Sequence, residues 1–523
     1  VLVKGRGNYL CRRRLSGLVS QGTFPGMDEG RQYLDELSRW AELTSDGSRA
    51  DLPFGVPEYV WESVASDADA CLGHRCPFRK ECFFAHARQE AENADLLVVN
   101  HHLLFADLAL RRALDDWSRR ALLPSFTRLI LDEAHGLEDA ASSFFGVRLT
   151  RFGVGRILSR LSPAKSSRGG LLHGLSAEIS SSRDTLAASR ADRLRGEAHG
   201  PVASLVADVK QKYEQGFGFL RSLAVDLRPA GADPRVRLTT EVFGHQDWTA
   251  VRETFMQAAA GARELTAEVE KLIEHLAVGQ GEDGKLAEVR AWIGRVGALS
   301  RETEHLVSER ADESVRWLEV ARKREKRVAL QSAPLDVSRL MYETVYQQMS
   351  SVVLTSATLS VGGNFDFLAS RIGLDLEPEE RVCTLLVQSP FDFTRQVRLA
   401  LPGGLPDPNQ AMFEQLLPEV VYQMVSVSGG GALVLFTAWG LMTRVFDLVR
   451  DRLESLGIEP MCQGEQPRDR LLGRLRENEG SVLFGTHSFW QGVDVVGDAL
   501  RCVIITRLPF DVPDEPLVQA RME

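Results

Sequence analysis

The sequence predicts an α/β protein built on parallel sheets and interrupted by a long helical insert. Short continuous apolar runs at 94–99, 127–131, 351–354, 432–436, 481–484 and 501–505 read as strands covered on both faces. Helical patterns separate most of the later runs, as at 410–426 and 440–456, and strands alternating with helices make a parallel sheet. The stretch 150–345 is different: it is rich in Ala, Leu, Glu, Arg and Ser, has long helical spacing and carries few strand signals.

Along the chain, residues 1–90 alternate turns with short helical patterns. The first fourteen residues hold Lys4, Arg6, Arg12, Arg13 and Arg14, a local basic excess in a chain of net charge −10. The overall charge excludes a protein coated in basic surface but leaves room for a local nucleic-acid channel. Ser162 to Gly200 reads as a loop-bearing part of the insert, and 401–408 (Leu-Pro-Gly-Gly-Leu-Pro-Asp-Pro) as a turn-rich connection. A length of 523 residues suits three to four domains of about 150 residues each. No apolar run of about 18 residues is present, so no membrane span is expected. The start, Val1-Leu-Val-Lys-Gly-Arg-Gly-Asn-Tyr9, has no signal-peptide architecture and opens mid-pattern, which suggests truncation.

Three strand ends carry chemistry. Leu129-Ile-Leu-Asp-Glu-Ala-His135 delivers two adjacent carboxylates to the C-terminal edge of a strand, where open α/β sheets bind ligands. Phosphoryl transfer from a nucleotide needs a Mg²⁺ holder and a group that orients or deprotonates the attacking water. Asp132 suits the first role, Glu133 the second, and His135 would connect the nucleotide site to a second domain. An acidic pair favoured by a helix dipole is the plainer alternative. Thr355-Ser-Ala-Thr358 follows another apolar strand; its small hydroxyl residues either cap a helix or exchange partners between states. Phe484-Gly-Thr-His-Ser-Phe-Trp-Gln-Gly-Val-Asp494 places glycines at 485 and 492 beside Thr486, His487 and Ser488, which can donate to backbone phosphates, and ends on Asp494, an acceptor for a ribose hydroxyl or a neighbouring loop. A turn-rich surface loop is its alternative, though Phe489-Trp490 would be unusual to expose. Asn100 and His101, and Thr437 ahead of Trp439, follow strands as lesser candidates for contact with single-stranded DNA.

Seven cysteines are present, four of them early. Cys71-x4-Cys76-x5-Cys82 packs three thiols into twelve residues and Cys11 supplies a distant fourth, with His74 and His86 nearby. Four thiolates suit a [4Fe–4S] cluster or a structural Zn²⁺, although zinc sites usually show two closely spaced pairs. Ordinary core thiols are the remaining reading, and the one that fits Cys383, Cys462 and Cys502.

Taken in order, the Val3-to-Cys11 opening, the three later cysteines, the Asn100 segment, Asp-Glu-Ala-His, Thr-Ser-Ala-Thr and Ser-Phe-Trp-Gln-Gly-Val-Asp resemble the DinG/XPD-type iron–sulfur DNA helicases of superfamily 2, most closely the bacterial DinG branch. The resemblance implies two RecA-like motor domains with an inserted iron–sulfur domain and a helical arch. On this chain that means a cluster domain at 1–90, the first motor at 91–149 and 346–380, the arch at 150–345 and the second motor at 381–523. It implies 5′→3′ translocation on single-stranded and forked DNA, ATP and Mg²⁺, and a [4Fe–4S] cluster on Cys11, Cys71, Cys76 and Cys82. Asp132, Gly492 and Asp494 would meet the nucleotide. Arg12, Arg13, Asn100, His101, Thr437, Thr486, His487 and Ser488 would meet DNA, and Thr355 to Thr358 (Thr355, Ser356, Ala357, Thr358) would couple the two. The branch suggests a bacterial cytoplasm.

Two departures stand out. No G-x-x-x-x-G-K-[ST] phosphate loop is present, and no Gln/Gly/Arg-rich last motif; the family places them before Val1 and beyond Glu523. Without either, this stretch alone is expected not to hydrolyse ATP. An RNA helicase with the same carboxylate motif, or a metal-stabilised nucleic-acid scaffold with a degenerate motor, are the rival readings; the cysteines and insert speak against the first, intact Asp132 and Glu133 against the second. A nuclease domain upstream would escape this sequence.

Overall fold

The computed structural model describes residues 1–21, 29–67, 71–73, 76–114, 116–118, 120–161, 170–180, 186–227, 235–276, 285–309, 313–320, 328–511 and 513–523. These fall into two compact units, one of residues 1–104, 119–124 and 387–510, the other of 105–118, 125–386 and 511–523. Among the described residues no helix is long and apolar enough to cross a membrane.

In the second unit, β1 (Arg128–Asp132) and β6 (Ser351–Thr355) form a parallel pair whose register ends with Asp132 opposite Thr355. Both were expected strands, and they bracket the insert. Within the insert, β2 (Val147–Thr150), β3 (Arg235–Arg237), β4 (Ser314–Val320) and β5 (Val328–Pro334) make an antiparallel sheet in the order β2-β5-β4-β3. This sheet corrects the expectation of a nearly strand-free segment. Arg316 to Val320 alternates buried and half-buried positions, the mark of a strand with one covered face. The rest of the insert is helical as expected. Helices Pro201–Asp226, Gln246–Leu276 and Lys285–Val307 pack around fully buried Tyr213, Trp248, Phe255 and Trp292. Helices Leu171–Ser180 and Ala187–His199 lie in the stretch read as a loop-bearing part of the insert, while 162–169 and 181–185 lie outside the described residues.

Two ionic features organise this unit. Asp107 and Arg111, one turn apart on helix His101–Leu114, form a fully buried pair at 2.6 Å, and Arg111 also donates to the Trp117 carbonyl. Such a pair is stable only when its remaining donors are used, as they are here. Farther along, Glu138 on helix Leu137–Phe145 accepts from Arg521 at 2.7 Å and lies 3.6 Å from Arg371. Arg521 belongs to helix Pro516–Met522, which is also held through Arg235–Glu515 and Arg237–Glu523. Burial is the largest influence on Glu138 and lifts its carboxyl above the usual carboxylate value, against the pull of both arginines.

The first unit contains an all-parallel sheet, β10-β7-β9-β8, made of β7 (Ala432–Leu435), β8 (Glu459–Cys462), β9 (Ser481–Gly485) and β10 (Cys502–Ile505). Three of the four were expected. Edge strand β8 was not, because Pro460 interrupts its pattern, and an edge is where a sheet tolerates proline. Helices Ala411–Ser428 and Trp439–Glu454 cover one face through Leu417, Val421, Val425, Met442 and Val445. The unit's early residues form a separate core around Leu37, Trp40, Val60, Trp61 and Phe83. The strand expected at 94–99 does not form. Only Val98 pairs, in an isolated parallel bridge to Leu2, and Leu96 and Val98 stay exposed because no second strand covers them.

Candidate nucleotide-facing and nucleic-acid-facing sites

At the ends of β1 and β6 the carboxylate and hydroxyl motifs touch. Thr355 Oγ1 donates to Asp132 Oδ1 at 2.7 Å, and the Glu133 N–H donates to the same oxygen at 3.0 Å. Ser356 Oγ donates to Glu133 Oε2 at 3.3 Å and lies 2.8 Å from His135 Nδ1. The parallel register makes this inevitable: with Asp132 level with Thr355, the residues that follow leave the sheet side by side. Both bonds to Asp132 fall on Oδ1, which leaves Oδ2 for a cation. Glu133 has φ +52°, the only non-glycine with positive φ among the described residues. A left-handed residue that is neither Gly nor Asn costs about 1–2 kcal/mol, and such strain gathers where function demands it. The turn lifts the Glu133 carboxylate off the strand axis and leaves it exposed beside His135.

In the other unit, the loop after β9 is anchored by its aromatic pair. Phe489 is fully buried and lies so close to Gly485 that any Cβ there would overlap its ring. Trp490 Nε1 donates to the Phe436 carbonyl at 3.2 Å. The pair is therefore packing, and with half-buried Val493 it pins a loop several of whose other residues are exposed. His487, Ser488 and Asp494 are exposed, and Gly492 has φ +65°. Thr486 is buried, and its N–H and Oγ1 both donate to Gln463 Oε1, at 2.6 and 2.9 Å, so its proton is engaged within the protein. Thr437 is exposed after β7, and Trp439 is half-exposed over Gly464, not in the core.

Three residues that sequence reasoning missed hold this loop. Gln463 Nε2 donates to Ser488 Oγ at 3.0 Å. Arg468 donates from Nε to the Ser488 carbonyl (3.0 Å) and from one terminal nitrogen to the carbonyls of Gln491 (3.1 Å) and Gly492 (2.8 Å). Arg476 donates twice to the Asp494 carbonyl. One signal was present: Arg468 opens helix Arg468–Glu477, where the dipole disfavours a cation.

Among the early residues the cysteine-bearing segments meet through their neighbours. Arg12, next to Cys11, lies 3.7 Å from Glu81 and over the Phe83 ring, the two residues flanking Cys82. Arg12 also pairs with Glu42 and donates to the Ala41 carbonyl, so its guanidinium is turned into the protein, unlike the expected DNA-facing arginine. Burial raises the Cys71 thiol, but the Gly73 N–H, Arg6 and Arg13 together bring it below its ordinary value. That environment suits a thiolate ligand. Among the described residues no three Cys, His, Asp or Glu side chains converge as a metal-holding group, and His74 lies outside them. Asn100 Oδ1 accepts from the Leu103 N–H at 2.9 Å and so caps helix His101–Leu114, with His101 its first residue.

Residues 421–523 match the helicase C-terminal domain family. The chain is 30% identical over 525 residues to the ATP-dependent DNA helicase YoaA of Haemophilus influenzae, covering all of this chain and 72% of that protein. It is 30% identical over 526 residues to the ATP-dependent DNA helicase YoaA of Escherichia coli, again covering all of this chain and 72% of the relative. To the ATP-dependent helicase DinG of Mycobacterium tuberculosis it is 31% identical over 537 residues, covering 99% of this chain and 70% of the relative.

Proposed function

Because the chain belongs to the YoaA/DinG family of ATP-dependent DNA helicases, we propose that it carries out ATP-driven 5′→3′ translocation on single-stranded DNA and unwinds forked duplex. The observation that carries this reading is the direct bond between two motifs 223 residues apart: Thr355 on Asp132 at 2.7 Å, with Ser356 and His135 beside Glu133.

In this reading Asp132 would hold Mg²⁺, which when bound would supply charge neutralisation on the phosphates. Glu133 takes the proton of the attacking water. Gly492 and Asp494, on the loop after β9, contribute to nucleotide binding. When the carboxylate loop changes partners, Thr355 and Ser356 exchange their bonds and pass the change along the 355–358 turn toward the strand-gripping residues. Arg13, Asn100, His101, Thr437, His487 and Ser488 line the DNA path, where backbone charge and base stacking hold the strand. The domain partition expected above and a bacterial cytoplasmic location belong to the same proposal.

Cys11, Cys71, Cys76 and Cys82 would hold a [4Fe–4S] cluster, which ties Cys11 to a segment some sixty residues on. The cationic surroundings of Cys71 support a thiolate donor set.

The test is unwinding by the full-length gene product of 5′-tailed and 3′-tailed DNA duplexes and of RNA duplexes, with Glu133→Gln as control. ATP-dependent unwinding of the 5′-tailed DNA alone, lost in the variant, supports the proposal; preference for RNA, or 3′-tail dependence, refutes it. A broad visible absorption band in anaerobically purified protein, lost in Cys71→Ser, supports the cluster; a colourless zinc-loaded protein refutes it.

A further inference from the structure

Beside Arg476, which holds the Asp494 carbonyl, two side chains grip the loop from Thr486 to Asp494, and their grips meet at Ser488: Gln463 reaches from there back to Thr486 and Arg468 from there on to Gly492. Gln463, just after β8, takes the Thr486 N–H and hydroxyl on its oxygen and donates to Ser488 from its nitrogen, spending both ends of one amide on the first three residues. Arg468 reaches the carbonyls of Ser488, Gln491 and Gly492 with a single guanidinium, and its plane also approaches the buried Phe489 ring at 5.6 Å.

The placement of Arg468 does not serve the element it sits on. Arg468 is the first residue of helix Arg468–Glu477, where a cation opposes the helix dipole, and no side chain caps that end. Its nearest carboxylate, Asp469, is 4.0 Å away. A residue that breaks a local rule while satisfying three main-chain carbonyls has its role in the loop. Gly492 takes the left-handed φ of +65° that glycine adopts readily, and its carbonyl accepts from Arg468 at 2.8 Å.

We propose that Arg468 and Gln463 are positioning residues with separable tasks, Arg468 setting the Gly492–Asp494 half for the nucleotide and Gln463 setting the Thr486–Ser488 half for the DNA backbone. The assignment of the two halves rests on the function proposed above; the two grips themselves do not. A planar fork is needed at 468 because one ammonium cannot span three carbonyls. An amide is needed at 463 because the same side chain must accept twice and donate once.

The experiment uses the full-length gene product with Arg468→Gln, Arg468→Lys and Gln463→Leu. Thermal midpoints establish that each variant folds. Arg468→Gln is expected to raise KM for ATP by about tenfold, the scale of one charge-assisted hydrogen bond, while single-stranded DNA affinity stays within about twofold. Gln463→Leu is expected to weaken DNA affinity by about tenfold and leave KM for ATP within about twofold. Arg468→Lys should behave like Arg468→Gln. If both variants shift KM and DNA affinity together, or if Arg468→Lys is fully active, the proposal is overturned. Amide hydrogen exchange across 486–494 gives a readout independent of activity: each variant should speed exchange in its own half while β9 stays protected. Should the wild-type protein show no DNA-stimulated ATP turnover, the functional reading fails, and the exchange pattern alone decides whether the two grips are separate.

Discussion

Replacing Arg521 by Met should destabilise its unit far more than replacing its partner Glu138 by Gln. The pair is 2.7 Å apart with side chains 18% (Glu138) and 15% (Arg521) exposed. Removing one member of a buried pair costs about 3–5 kcal/mol when the other is left alone, but Arg371 remains 3.6 Å from Glu138, so about 2 kcal/mol is expected for Arg521→Met. The reverse change differs in kind. Glu138 has its carboxyl raised by burial despite two arginines, so its charged form is worse off here than in water. Gln removes that charge and keeps the shape, while Arg521 retains Asp139 at 3.4 Å and the Ser142 hydroxyl at 3.1 Å. A cost within about 1 kcal/mol is expected for Glu138→Gln, and the double variant should be no less stable than Arg521→Met by itself. The pH sign follows. A carboxyl raised in the folded state contributes stability that is complete below its unfolded value and is lost as pH rises through its folded value. Wild type should therefore gain on Glu138→Gln as pH falls through the carboxylate range. Urea denaturation at several pH values measures this, with hydrogen exchange in Leu137–Phe145 to localise it. A Glu138→Gln cost equal to that of Arg521→Met, or the opposite pH trend, would refute the reasoning.

Other outcomes follow from the same geometry. Glu133→Gly should relieve the left-handed strain and stabilise by about 1 kcal/mol while abolishing ATP turnover, read by thermal denaturation and phosphate release. Thr355→Val removes the hydroxyl on Asp132 at nearly constant volume; DNA-stimulated turnover should drop more than ATP affinity, and equal losses would show that the bond serves binding alone. Gly373→Ala should cost about 2–3 kcal/mol or block folding, because φ is +77° and the added Cβ would lie 2.1 Å from the Ser338 carbonyl oxygen. Expression and thermal midpoint report it.

Strand β9 was legible because a parallel strand covered on both faces needs an unbroken apolar run, as at Val482–Phe484; Leu129–Leu131 carries the same kind of run and forms β1, although Ile130 stays exposed. Asp132, Glu133, Thr355 and Ser356 could be placed at strand ends, but their mutual bonds depend on register, which no local pattern records. The insert's antiparallel sheet was hidden because its strands mix Arg, Glu and Ser with apolar residues, and β3 is only three residues long. The run at 94–99 shows the converse: an apolar pattern becomes a strand only when something pairs with it and covers it. Arg468 escaped notice because its partners are main-chain carbonyls some twenty residues away, and Gln463 because it meets one N–H and two hydroxyls at a similar separation, pairings that no local pattern records.

The chain leaves the sheet at Asp132 and re-enters it at Ser351, which lies beside Arg128 on the adjacent parallel strand, so the excursion starts at one end of the pair and finishes at the other, roughly 14 Å away at about 3.3 Å per residue along the strand and about 4.8 Å across it. Its ends are clamped by the sheet whatever lies between, and closing a longer detour adds little entropy because that term grows only logarithmically. Natural variation can therefore lengthen, shorten or re-sculpt the intervening 200-odd residues while the acidic and hydroxyl groups stay in hydrogen-bonding reach. The excursion is thus free to change in length and shape, while its two roots are held by the register of the pair.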